Sequence, residues 1–201
     1  MPIPFRDVRL TVMPIPLIDR ETAEPQTLDE IRDWHHGIVD ARVEQRASIQ
    51  HAIRQSSAVA PRFVGMTEGE VDAHYDADRR ELDRLTVLNL VASAEGTLKV
   101  DYFRRVAEKL KDSLSVAYRK WHKTLSTKKQ LRPDFDDGGI LDVLKKTQVM
   151  DNNIIGRYRE CLRARHWVGH GRYWSKPVEV DRLDPDDVYD RADALLRAMP
   201  A

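Results

Sequence analysis

From about residue 68 to 123 the chain carries no proline and keeps returning an apolar residue at the third or fourth position. Val71, Tyr75, Leu82, Leu85, Leu88 and Ala92 set the period, and Leu98, Tyr102, Val106, Leu110, Leu114, Ala117 and Trp121 resume it. A run of this kind buries one face of a helix and leaves few alternatives. Gly96 interrupts it, but an isolated glycine costs a helix only about 1 kcal/mol relative to alanine. The spacing therefore predicts one long helix over 68–123, bent or broken near Gly96. Thr67 with Glu70 forms a capping box at its start.

The same grammar reads along the rest of the chain. Thr27 with Glu30 is a second capping box, opening a helix to about Ser57. Its seam, Leu28, Ile31, His35, Ile38, Arg42, Gln45, Ile49 and Ala52, is polar in the middle, as for a partly wet face or one turned to a partner. Ala58 to Met66 and Lys123 to Gly139 read as loops, and residues 140–147 as a short helix. Asp151 or Asn152 can cap the next helix. Val178-Glu179-Val180 suggests an extended return. Asp184-Pro185-Asp186-Asp187 begins a last helix, to about Ala198, with proline in the first turn and acids at the positive end of the dipole. Residues 1–26, with Pro2, Pro4, Pro14, Pro16 and Pro25, read as an extended arm with a short edge strand at Val8–Val12. The expected architecture is all-α: a bundle of long antiparallel helices forming a single domain over 27–201.

Lys+Arg and Asp+Glu both number 33, so net charge gives no sign of a polyanionic partner, which a local patch must meet instead. One cysteine excludes an intramolecular disulfide framework and fits a reducing, cytoplasmic setting. Nothing has the apolar length of a signal peptide or membrane span.

One window concentrates chemistry. Cys161 to Trp174 holds Arg163, Arg165, His166, Trp167, His170, Arg172, Tyr173 and Trp174. An imidazole, with an unperturbed pKa of about 6.5, takes and returns protons near neutrality. The guanidinium fork matches phosphate oxygens. Together they suffice in kind for metal-free RNA cleavage, His170 deprotonating the ribose 2′-OH and Arg165 stabilising the phosphorane. On a regular helix the two diverge by about 140° around the axis. Gly169 and Gly171 offer His170 a way out of helical geometry, and a second copy of the chain is another way to complete the site. Cys161 reads as a small apolar filler, and Trp167 and Val168 as packing. His166 and His170, four apart, are half of a zinc site, with no third ligand nearby and no adjacent glutamate. No metal and no cofactor is expected.

Arg165-His166-Trp167-Val168-Gly169-His170, an arginine followed by four residues and a histidine near the end of a late helix, resembles the signature of the HEPN superfamily (higher eukaryote and prokaryote nucleotide-binding domains). The resemblance covers roughly residues 80–175, including the polar Glu95 on an apolar helix. It implies a helical homodimer with both signatures in one composite endoribonuclease site, in a family with many toxin and phage-defence members. It assigns Arg165 and His170 to catalysis, with His166 as the polar residue after the arginine. Arg163 can instead begin a six-residue spacing. Arg163, Arg172, Tyr173 and Trp174 are then candidate RNA contacts, Glu95 a supporting partner for Arg165, and an antitoxin protein a candidate partner. Where one branch of the family has a tyrosine two residues after the histidine, this chain has Arg172, against control by tyrosine nucleotidylation. The rival readings are a non-catalytic module that binds RNA or protein through the same surface, and a purely structural dimerisation domain.

Overall fold

In a computed structural model, residues 26–200 are described, and among them every regular element is helical. The expected N-terminal arm, including the edge strand at Val8–Val12, lies outside the described residues except for Gln26. The helices are α1 (Leu28–Arg54), α2 (Glu68–Ala107), α3 (Ser113–Thr124), α4 (Thr127–Leu131), α5 (Ile140–Thr147), α6 (Asn152–Gly169), α7 (Glu179–Arg182) and α8 (Pro185–Arg197). None of them is long and apolar enough to cross a membrane.

Both capping boxes form. Thr27 accepts the Glu30 N–H at 3.2 Å while Glu30 accepts the Thr27 N–H at 2.8 Å; Thr67 and Glu70 do the same at 3.3 and 2.8 Å. Each pair satisfies two amide donors that a helix start leaves unpartnered. Asp151, not Asn152, caps α6, and Asp184 caps α8.

The long periodic run divides elsewhere than expected. α2 passes through Gly96 unbroken, because the flanking Ala94 and Leu98 are buried at 0% and 1% exposure and hold the helix to its neighbours. The break comes at residues 108–112, where Lys109 turns left-handed (φ 56°) and Asp112 starts α3 by accepting the Ser115 N–H at 2.9 Å. Its cause is Arg105. This guanidinium is fully buried and donates to Asp101, Asp112, Ser115 Oγ and the Pro200 carbonyl, so the chain must bend to bring those acceptors together. Two further expectations change. Lys123 to Gly139 contains α4, tied down by Gln130 donating to the carbonyls of His122 and Leu125. Val178 to Val180 is not extended: Pro177 opens a helical turn, its carbonyl accepting the Val180 N–H. The Ala58–Met66 loop also holds a 3-10 turn, Pro61–Phe63.

α2 is the central element. Leu90, Val91, Ala94, Leu98 and Tyr102 share a core with Leu114 and Tyr118 of α3, Leu141 and Leu144 of α5, Ile155 and Tyr158 of α6, and Val188, Ala192 and Leu195 of α8. Cys161 lies in this core, where burial pushes its thiol up to about 11 and keeps it unreactive. Only the start of α1 joins the core, through Leu28 and Ile31. Beyond them α1 and α2 are linked by polar contacts and ion pairs: His35 to Asp83 at 2.8 Å, Arg42 to Asp78 at 3.2 Å, Arg46 to Asp72 and Asp76 at 2.6 and 3.1 Å, and Arg54 to Glu68 at 2.6 Å. A second small cluster of Phe63, Val71 and Tyr75 closes the far end. Between the two clusters lies a cleft of about 490 Å³ lined by Ile38, Val43, Leu82 and Leu85. The polar middle of the α1 seam is this ionic stretch.

Because Gly96 is exposed in an intact helix and a Cβ there meets nothing within 4 Å, Gly96→Ala is expected to stabilise the chain by about 0.5–1 kcal/mol. Gly139→Ala should destabilise it, since a Cβ there collides with the Asp134 carbonyl. Urea unfolding midpoints check both signs.

Candidate active site

The site is made where α6 ends and the chain doubles back. His170 terminates the helix, its N–H donating to the His166 carbonyl at 3.1 Å. Gly171 (φ 87°) and Arg172 (φ 62°) then both take left-handed backbone, and the Arg172 N–H closes on the Trp167 carbonyl at 3.2 Å. Glycine adopts this conformation freely, whereas arginine does so at a cost of roughly 1–2 kcal/mol. What offsets it is a two-pronged ion pair: Arg172 Nη1 and Nη2 donate to the two oxygens of Glu81 on α2 at 2.7 and 2.6 Å. That pairing holds the Glu81 carboxyl below the usual range and the Arg172 guanidinium above its own. The reversed chain brings the Trp174 carbonyl onto the Trp167 indole N–H at 3.0 Å.

Two imidazoles and an indole gather on this turn. The His166 and His170 rings, four residues apart on one helix face, have centroids 4.2 Å apart. Trp174 lies 5.9 Å from the first ring and 6.3 Å from the second. Tyr173 stands edge-on to Trp174 at 4.6 Å and is 83% exposed. Both histidines are exposed, so the cluster faces solvent.

Arg165 lies on the neighbouring face. Its Nη2 is 3.5 Å from Glu95 Oε2, and its Nε is buried with no acceptor. Glu95, at 15% side-chain exposure, also takes Lys99 Nζ at 2.6 Å on its other oxygen. Arg165 and His170 thus have different partners, Glu95 for one and His166 with Trp174 for the other.

Two further arginines of α6 are engaged. Arg163 donates to Glu179 of α7 at 2.8 Å, and Arg159 bridges Asp136 and Asp142, each at 2.6 Å. Trp167 and Val168 are 7% and 8% exposed and belong to the packing. Glu81 and Lys99 were not singled out from sequence. Lys99 is visible there only as the fourth residue after Glu95; the Glu81–Arg172 pair, 91 residues apart, leaves no local signal. Among the described residues no group of three or more His, Cys, Asp or Glu side chains is arranged to hold a metal ion. Comparison of the chain with protein-family models, curated proteins and solved structures found no match.

The clamp between Glu81 and Arg172 should control how tightly the turn closes. Glu81→Gln is expected to lower the exchange protection of the Trp167 indole N–H severalfold, measured by NMR. In the unaltered chain the depressed Glu81 carboxyl makes the clamp's contribution complete above the ordinary carboxylate range near pH 4.3, and lost as pH falls through the lowered value. Protection that is the same in Glu81→Gln would show that the turn closes without the clamp.

Proposed function

We propose that this chain is a metal-independent endoribonuclease of HEPN type, built as a bundle of long antiparallel helices that works as a homodimer. The observation that carries the reading is the solvent-facing cluster of His166, His170 and Trp174 at the end of α6, with Arg165 on the adjoining face. In the proposed reaction His170 takes the proton of a ribose 2′-OH, and the 2′ oxygen attacks the adjacent phosphorus. The bond from phosphorus to the 5′ oxygen breaks, and that oxygen receives a proton from a second imidazole, His166 or a histidine of the other copy. The products are a 2′,3′-cyclic phosphate and a 5′-OH. Arg165 stabilises the dianionic phosphorane, and its guanidinium is suited to this because its link to Glu95 is long and a third of its side chain is exposed. Trp174 and the exposed Tyr173 offer rings for base stacking.

Arg165 and His170 do not share a partner within one chain, and a composite site supplies what one copy lacks. With two copies, the arginine of one can meet the phosphate attacked under the histidine of the other. Arg163 and Arg172 hold the turn through Glu179 and Glu81 and contribute to RNA binding as its frame.

The test is cleavage of a mixed RNA substrate in excess chelator. Arg165→Ala and His170→Ala should each lower the rate by about 10²-fold or more with the helical circular dichroism intact, and His166→Ala by less. Unchanged rates in the first two variants would falsify the assignment. RNA binding without any cleavage by the unaltered chain would instead identify a non-catalytic binding module.

A further inference from the structure

Lys99 and Arg165 share one carboxylate. Lys99 Nζ sits 2.6 Å from Glu95 Oε1 and Arg165 Nη2 3.5 Å from Glu95 Oε2. Among the described residues neither cation has another carboxylate within 4.0 Å. A Glu–Lys pair four apart on a helix is complete by itself and needs no third member. Here a third member is present, so the cluster carries one positive charge beyond what its carboxylate neutralises. A net positive spot of this kind attracts an anion. The donors allow it. Arg165 gives Glu95 only a long Nη2 contact, and an ammonium carries three N–H groups, of which Glu95 occupies one. Lys99 is 35% and Arg165 33% exposed, so an incoming group can reach both. The Lys99 ammonium also lies 5.8 Å from the Phe135 ring centroid, which steadies it beside the site.

We infer that Lys99, Glu95 and Arg165 form a phosphate subsite on the α2–α6 face, in which Lys99 binds a backbone phosphate of single-stranded RNA next to the one held by Arg165. The inference rests on the nuclease reading for the identity of its ligand. Glu95 acts as the positioning residue, holding the two cations apart on its two oxygens. Phosphate takes up the surplus charge, and the arginine and lysine donate to it without reading the bases.

The experiment measures binding of a fully 2′-O-methylated single-stranded oligonucleotide, which keeps the phosphates and cannot be cut by 2′ attack, at a series of salt concentrations. Lys99→Gln should weaken binding severalfold and reduce the slope of log affinity against log salt by about 0.7, the loss of one phosphate contact. Lys128→Gln, removing an exposed lysine on α4, should leave both unchanged. If Lys99 serves only the helix, its variant will melt earlier with an unchanged salt slope, and the subsite is overturned. Binding that depends on Lys99 in a protein that never cleaves RNA would keep the subsite and sink the nuclease reading. Cleavage that depends on Arg165 and His170, with a salt slope indifferent to Lys99, would do the reverse. Absence of binding altogether overturns both.

Discussion

α6 is seated on α2 by a seam of apolar packing and two ion pairs, and the position of every proposed functional group follows from it. Tyr158 buries its ring and donates its hydroxyl to the Val91 carbonyl at 3.1 Å. Small residues then let the helices close up: Cys161 and Ala164 are buried, and the Gly169 Cβ position is 3.5 Å from Leu88. Part-way along α6 Glu95 meets Arg165, and just beyond its end Glu81 grips Arg172. The first contact aims the arginine. The second turns the chain, so that Trp174 comes back over His166 and His170. A larger residue at Gly169 or the loss of Glu81 disturbs the same arrangement from opposite sides.

Charge neutrality of the whole chain has a local meaning in this setting. Near the site most arginines have their own acid: Arg159 has Asp136 and Asp142, Arg163 has Glu179, Arg172 has Glu81. These pairs are partly exposed, so each contributes little stability by itself, but together they fix where loops and helix ends lie. Two carboxylates beside α6 each serve two cations: Glu81 takes Arg84 at 3.6 Å as well as Arg172, and Glu95 takes Lys99 and Arg165. A chain with equal numbers of acids and bases can still present a positive spot where a carboxylate is shared in this way.

The beginnings of the elements were legible because their signals are local. Thr27 and Thr67 each need only a glutamate three residues on, and Asp184 needs only Pro185 and the acids after it. The break between α2 and α3 was not, because Arg105 draws on an acceptor 95 residues away at Pro200, while Gly96 offered a nearer and misleading cue. The helical turn after Pro177 was misread for a related reason. A Val-Glu-Val triplet has strand character alone, and the Glu179–Arg163 pair that holds it to α6 spans 16 residues. At the candidate site the reactive residues stood out by type and density. Glu95 was named as a partner for Arg165, but Glu81 looks like one acid among many until α6 is laid beside α2.

The central claim is that the end of α6 cleaves RNA through its own 2′-OH, with imidazole and guanidinium groups and no metal. Mass spectrometry of the ends produced from a defined oligoribonucleotide, in excess chelator, tests it most directly. The account predicts 2′,3′-cyclic phosphate and 5′-OH ends, and no cutting where the 2′ oxygen is methylated. Ends bearing a 5′-phosphate, or equal cutting of the methylated strand, would contradict it.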